Sequence, residues 1–236
     1  MKLAYHVSPR EHWISAAGAL VAIAAILSVS LWLDGPNAVF VTMSMGASAV
    51  LLFAAPHGAM SQPWPVFGGH LVSALIGVTA ALVFADHLII GAAVAVALAL
   101  ALMYSLRCLH APGGATALYA VLGGDAVHAL GYTYVWNPVL LNVVILLLVA
   151  VTFNLPLEWR RYPQALSAAA EEKTPEEPMI PHSNLVYALS ELDTFIDVSE
   201  EDLLRIYALA MHGRPAEEIA ARRSNEVVAA SRSRAG

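Results

Sequence analysis

Charge is scarce in this chain. Asp, Glu, Lys and Arg make up 13% of its 236 residues, against about 25% in a typical soluble domain. Hydrophobic residues account for 58%. So much apolar surface cannot be hidden in one water-soluble core, and lipid must be the solvent for much of it. The formal net charge is -6, but most charge follows Leu155, in a polar tail. No basic domain exists, which excludes nucleic-acid binding. Cysteine occurs once, at Cys108. This excludes an internal disulfide and a cysteine-based metal cluster within one subunit, and Cys108 reads as a buried, inert thiol. The chain also lacks a Ser/His/Asp arrangement on one side, a phosphate loop and a haem motif. Carboxylates within the apolar runs are nearly absent. An enzyme is therefore not expected, nor is a cofactor.

What the chain has is long apolar runs. They are Trp13 to Leu33, Asn37 to Ala55, Val66 to Ala85, Leu88 to Leu106, Pro112 to Leu122 and Asn137 to Leu155. Lys2 and Arg10 precede the first run, which is too long for a signal-peptide core and reads as a retained first helix. A crossing needs about 20 residues. Five segments reach that length and the fifth in order falls short. Two topologies compete: six crossings, or four crossings with segments two and five re-entrant. With six crossings and a cytoplasmic N-terminus, Lys2, Arg10, Arg107, Arg160 and Arg161 all fall inside, as the positive-inside rule requires. Asp34, Asp86 and Asp125 fall outside. The re-entrant alternative puts Arg107 outside, so six crossings are favoured, with segment five short or broken. Both place the N-terminus and tail in the cytoplasm, in what reads as a bacterial inner membrane.

A weak internal repeat supports this reading. Gly46-Ala47-Ser48-Ala49-Val50-Leu51 matches Gly114-Ala115-Thr116-Ala117-Leu118-Tyr119 at an offset of 68 (114 − 46). Three crossings per half would make the halves inverted, an architecture of transporters with broken helices and a site near the midplane. The expected fold is all-α: a polytopic membrane helix bundle of 3+3 inverted repeats. Residues 1–158 form the transmembrane domain, 159–182 a linker and 183–236 a small cytoplasmic helical tail. In the tail, Leu185, Leu189, Leu192 and Ile196 share one helical face, and Ser199 with Asp202 suggests a helix start.

Chemistry concentrates at His110-Ala111-Pro112-Gly113-Gly114-Ala115-Thr116. Pro112 suits the first position of a helix, so a helix is expected to start there at membrane depth. The N–H groups of Gly113, Gly114 and Ala115 would be free at its positive end, which favours an anion. The Thr116 hydroxyl would add a hydrogen bond. The equivalent stretch in the first half is Ser44-Met45-Gly46-Ala47-Ser48. A helix break that aids packing explains the same letters without a ligand. His57, His70 and His110 lie at membrane depth, where ionisable groups are functional by default, although a neutral histidine bonded to a carbonyl serves structure as well. No metal site is expected, because no histidine pair has ligand spacing and no carboxylate accompanies them. Trp13, Trp64, Tyr134 and Trp136 read as interfacial anchors, and Arg107 as a topology anchor or a vestibule charge.

These stretches resemble the HPP family. Gly46 to His57, Gln62-Pro63 and Gly68-Gly69-His70 look like its first signature block. His110 to Leu118 looks like the block that names it, with Ala111 in place of the first proline, and Asn137-Pro138-Val139-Leu140 and Asn154 resemble its closing segment. The resemblance covers about Trp13 to Leu155 and implies nitrite transport. Many bacterial relatives carry cytoplasmic CBS domains, for which the residues after the linker leave no room. The expected function is a transporter or channel for a small monovalent anion, nitrite first. The expected substrate-binding residues are Ser44, Gly46, Ala47, Ser48, His57, His70, His110, Pro112, Gly113, Gly114, Ala115 and Thr116. The partners are the lipid bilayer and a small inorganic anion, with a homo-oligomer left open. The alternative is a membrane sensor or scaffold acting through the tail.

Overall fold

The computed structural model describes residues 8–35 and 43–165. The start of segment two, most of the linker and the whole helical tail lie outside the described residues. The described residues form helices α1 (Pro9–Asp34), α2 (Met43–Ala54), α3 (Pro63–Val83), α4 (Leu88–Ser105), α5 (Ala111–Leu122), α6 (Asp125–His128) and α7 (Leu141–Asn154). A π-helical turn, Val135–Leu140, leads into α7. No strand occurs among the described residues.

The ends of these helices follow from their residues. Ser8 caps α1: its hydroxyl accepts the Glu11 N–H at 3.2 Å, and Pro9 occupies the first position, where no donor is missed. α3 also opens on a proline, Pro63. α4 closes in a Schellman arrangement. The Arg107 N–H reaches the Tyr104 carbonyl and the Cys108 N–H the Met103 carbonyl, with Arg107 at φ 53 in the left-handed position usually held by glycine. That turn sends the chain back toward the bundle interior.

Four stretches are long and apolar enough to cross a membrane: Pro9–Leu33, Pro63–Val83, Leu88–Ser105 and Val135–Asn154. α2 and α5 have 12 residues each. A helix of that length spans about 18 Å, short of the roughly 30 Å hydrocarbon core. Segment two, expected at full length, is therefore helical only over Met43–Ala54 among the described residues. The break expected in segment five is present, and α5 starts at Ala111, one residue before the position expected from Pro112.

Contacts at the helix ends fix the direction of each element. Arg160 binds Glu11 at the start of α1, the Phe53 carbonyl at the end of α2 and Asn154 at the end of α7. The Tyr162 hydroxyl donates to the Ser61 carbonyl just before α3 at 2.7 Å. The Trp64 indole donates to the Leu106 carbonyl after α4 at 3.1 Å. These ends therefore gather at one end of the bundle. α5 starts deeper, with His110 against Gly69, and runs alongside α3 in the same direction, with Ala117 and Ala120 against Gly77.

The described core has three clusters, one of which packs Ala74 of α3 and Ala120 of α5 against Val135 and Val139 of the π-helical turn. Ala22 and Ile26 of α1, Met45 and Leu52 of α2 and Val143 and Leu146 of α7 pack in another. Ala80 of α3, Ala95 and Ala99 of α4 and Ala117 and Val121 of α5 pack in the third. Small residues let this last set approach closely. A methyl group on Gly77 would meet the Ala117 carbonyl at 2.7 Å, and one on Gly113 would meet Ser73 Oγ at 2.8 Å. Close backbone approach of this kind is how helices associate where lipid supplies no hydrophobic drive.

Buried side chains continue past residue 158. Arg160 and Tyr162, which the sequence assigns to the linker after residue 158, are buried in the bundle. Polar partners at three helix ends hold Arg160 at that end of the bundle.

Candidate functional site

One group of polar side chains is buried where α2, α3 and the start of α5 converge. Ser48 is midway along α2, His70 two turns into α3, His110 immediately precedes α5 and Thr116 is midway along α5. All four are fully buried at 0% exposure, so every polar atom needs a partner within the protein.

Those partners form one chain. Ser48 Oγ lies 2.9 Å from His70 Nε2 and 2.8 Å from His110 Nε2. His70 Nδ1 lies 2.7 Å from Thr116 Oγ1, and His110 Nδ1 lies 2.8 Å from the Met60 carbonyl. The two imidazole rings are 5.0 Å apart and tilted by 60°. Ser48 Oγ also lies 3.3 Å from the Ser44 carbonyl, a longer contact.

The end of this chain dictates the hydrogens along it when both rings are neutral. A carbonyl only accepts, so His110 Nδ1 donates to Met60 and His110 Nε2 is left as an acceptor. Ser48 then donates to His110 Nε2. Its oxygen accepts from His70 Nε2, which leaves His70 Nδ1 to accept from the Thr116 hydroxyl. Every donor finds an acceptor, and all the bonds point from Thr116 toward Met60. Adding a proton at Thr116's end would reverse the hydroxyl of Ser48 and the tautomer of His70 without moving a heavy atom.

The family profile described as HPP, transmembrane region, matches residues 4–163. The chain belongs to the HPP family. Two proteins of Dictyostelium discoideum, each named a transmembrane protein, are similar to it. One is 37% identical over 123 residues, 51% of this chain and 43% of the relative. The other is 37% identical over 128 residues, 53% of this chain and 41% of the relative. The matched stretch thus spans less than half of either relative. No solved structure matches. With its apolar helices, this HPP family chain is an integral membrane protein.

Several residues expected at the site of the HPP protein lie elsewhere. His57 lies beyond α2, with its Nε2 3.3 Å from the Arg161 carbonyl. Ser44 contributes its carbonyl. Ala47 and Ala115 are exposed on the outside of the bundle, and methyl groups on Gly46 or Gly114 would meet nothing within 4 Å. Pro112 is buried. Gly113 packs against Gly69 and Ser73, and its N–H donates to the His110 carbonyl at 2.9 Å. Of the N–H groups expected from Gly113 to Ala115, that of Gly113 is therefore taken within the first turn. The polar centre is made by side chains instead.

Two members of the surroundings were misread or missed. Tyr134, expected as an interfacial anchor, is buried, and its hydroxyl donates to the Thr116 carbonyl at 3.1 Å. The Met60 carbonyl carries no sequence signal at all, since any residue would supply it. Trp13, Trp64 and Trp136 are exposed, as anchors should be.

Proposed function

We propose that this HPP protein moves a small monovalent anion across the membrane past the Thr116–His70–Ser48–His110 centre. Buried ionisable residues in membrane segments are costly and mark substrate or ion pathways. That a chain of two histidines and two hydroxyls lies at the junction of two half-length helices is the observation that carries the reading. Nitrite is the first substrate to test, because the family resemblance implies it. It is small, and its two oxygens accept hydrogen bonds from hydroxyl and imidazole donors.

The internal repeat fits the same reading. Ser48 and Thr116 occupy positions related by the offset of 68 (116 − 48) and bond opposite nitrogens of His70. The order of buried, intermediate and exposed positions along Met43–Ala54 recurs unchanged along Ala111–Leu122. Two inverted halves meeting at His70 account for both facts and supply the equivalent half-helices that alternating access needs. Arg10, Arg107 and Arg160 belong to the end of the bundle that gathers the α1 start, the α4 end and the segment after α7, which we assign to the cytoplasm.

The test is anion flux into proteoliposomes holding purified protein, comparing nitrite with nitrate, formate and chloride. Removing a hydrogen bond to a charged group costs about 1.5–3 kcal/mol, so Ser48→Ala and Thr116→Val should each lower nitrite flux roughly tenfold or more. Full flux in the double variant would overturn this site.

A further inference from the structure

The buried centre holds no fixed positive charge, and this constrains what can pass. Arg10, Arg107, Arg160 and Arg161, the described cations other than histidine, all lie at or beyond helix ends. The titratable groups on the elements around the two histidines are Cys108 just before His110, Tyr119 on α5 and Tyr134 behind Thr116. α2 contributes no titratable side chain, and the nearest carboxylates in sequence, Asp86 and Asp125, follow α3 and α5. An unpaired monovalent anion taken into such a site would meet a desolvation cost that neutral hydroxyls cannot offset. A proton must come with it, and His70 and His110 are the groups built to hold one.

Resting on the transport reading above, we propose that the anion crosses together with one proton, and that its class is the conjugate base of a weak acid. The acid approaches at the Thr116 end, where the hydroxyl turns from His70 Nδ1 to the substrate. Its O–H bond breaks and an N–H bond forms at His70 Nδ1, the electron pair of the broken bond remaining on the anion. His70 Nε2–H passes to Ser48, and the Ser48 hydrogen passes to His110 Nε2. His110 then carries both N–H bonds, and the positive charge rests beyond His70 and Ser48 from the anion. Release runs in reverse: His70 Nδ1–H goes to an anion oxygen, and the chain returns to its neutral direction. One proton and one anion cross, and no net charge moves. Anions of strong acids cannot take the proton back, so nitrate and chloride pair with the charged chain without turnover.

The experiment uses the whole protein in proteoliposomes, with a pH dye inside and a potassium gradient plus valinomycin to set the voltage. The expected result is nitrite and formate uptake driven by an inward proton gradient, unaffected by voltage, with one proton entering per anion. Nitrate and chloride should show less than a tenth of that flux. His70→Gln should lose the proton-driven component at least tenfold. Ser48→Ala, which cuts the chain between the histidines and leaves both rings in place, should shift the pH profile of flux. Anion uptake that follows voltage and ignores the pH gradient would overturn this inference while leaving the transport reading standing, as would nitrate carried as fast as nitrite. The absence of flux for every anion, from folded protein, would overturn both.

Discussion

Arg160 has 1% of its side chain exposed and four different partners. Its guanidinium binds Glu11, donates to Ser15 Oγ at 3.0 Å and Asn154 Oδ1 at 3.0 Å, and donates to the Phe53 carbonyl at 2.6 Å. The Trp159 indole donates to the other Glu11 oxygen at 3.1 Å, and Arg10 stacks 4.4 Å above the Trp159 ring. Glu11 keeps 24% of its side chain exposed, so removing it strands the buried Arg160 charge at a cost below the roughly 3–5 kcal/mol of a fully buried pair, whereas replacing both costs far less. Glu11→Gln should therefore lower the melting temperature of the purified protein strongly. Glu11→Gln combined with Arg160→Met should recover most of the loss. Tyr162 plays a smaller part at the same end: burial pushes its phenol well above its ordinary range, so it stays a donor to Ser61. At this scale the sequence was legible where a residue has one common use, as with the exposed tryptophans. It misled where a surface residue type, Arg160 or Tyr134, was drawn inside by partners distant along the chain.

At the scale of elements, apolar runs located the helices but not their starts: α1 opens at Pro9 and α3 at Pro63, ahead of Trp13 and Val66 where the apolar runs begin, because a proline-led first turn need not be apolar. The end of α4 falls where its apolar run stops, at the Leu106 cap, although its left-handed position is Arg107 rather than glycine. A left-handed residue with a Cβ costs roughly 1–2 kcal/mol. Arg107→Gly should thus raise the melting temperature, and if Arg107 serves only as a topology anchor, anion flux should not change. The opposite response is expected at the α3–α5 contact. Gly77→Ala places a methyl 2.7 Å from both the Ala117 carbonyl and the Ala120 methyl. Overpacking of this kind costs about 1–3 kcal/mol. It should lower thermal stability and, by displacing Thr116 on the same helix, reduce flux. The interhelical bond from Ser30 to Asn142 at 2.9 Å joins α1 to α7. Membrane hydrogen bonds average about 0.6 kcal/mol, so Ser30→Ala should be nearly neutral in the same unfolding assay.

On the scale of the whole molecule, the chain places Arg10, Arg107, Arg160 and Arg161 near one end of the bundle, and Asp86 and Asp125 follow helices that run to the other. If the basic end is cytoplasmic, single cysteines at Arg107 and Asp125, in a Cys108→Ser background, should react with an impermeant thiol reagent from opposite sides of the membrane. Labelling of both from one side would contradict the orientation assigned above.

The sequence by itself determined that this is an α-helical membrane protein, where most of its helices lie, that the fifth is short or broken, and that the histidines and small polar residues at membrane depth were the candidates, Ser48, His70, His110 and Thr116 among twelve. Each follows from local physics: apolar run length against bilayer thickness, proline at a helix start, ionisable residues where lipid tolerates few. Only the tertiary structure decided that the Gly113 N–H is taken by the His110 carbonyl, that His57 lies elsewhere, and that four buried polar side chains form a single hydrogen-bonded chain. Its direction comes from the Met60 carbonyl, 50 residues from His110. A main-chain acceptor has no letter, and which side chain it meets depends on how α2, α3 and α5 pack.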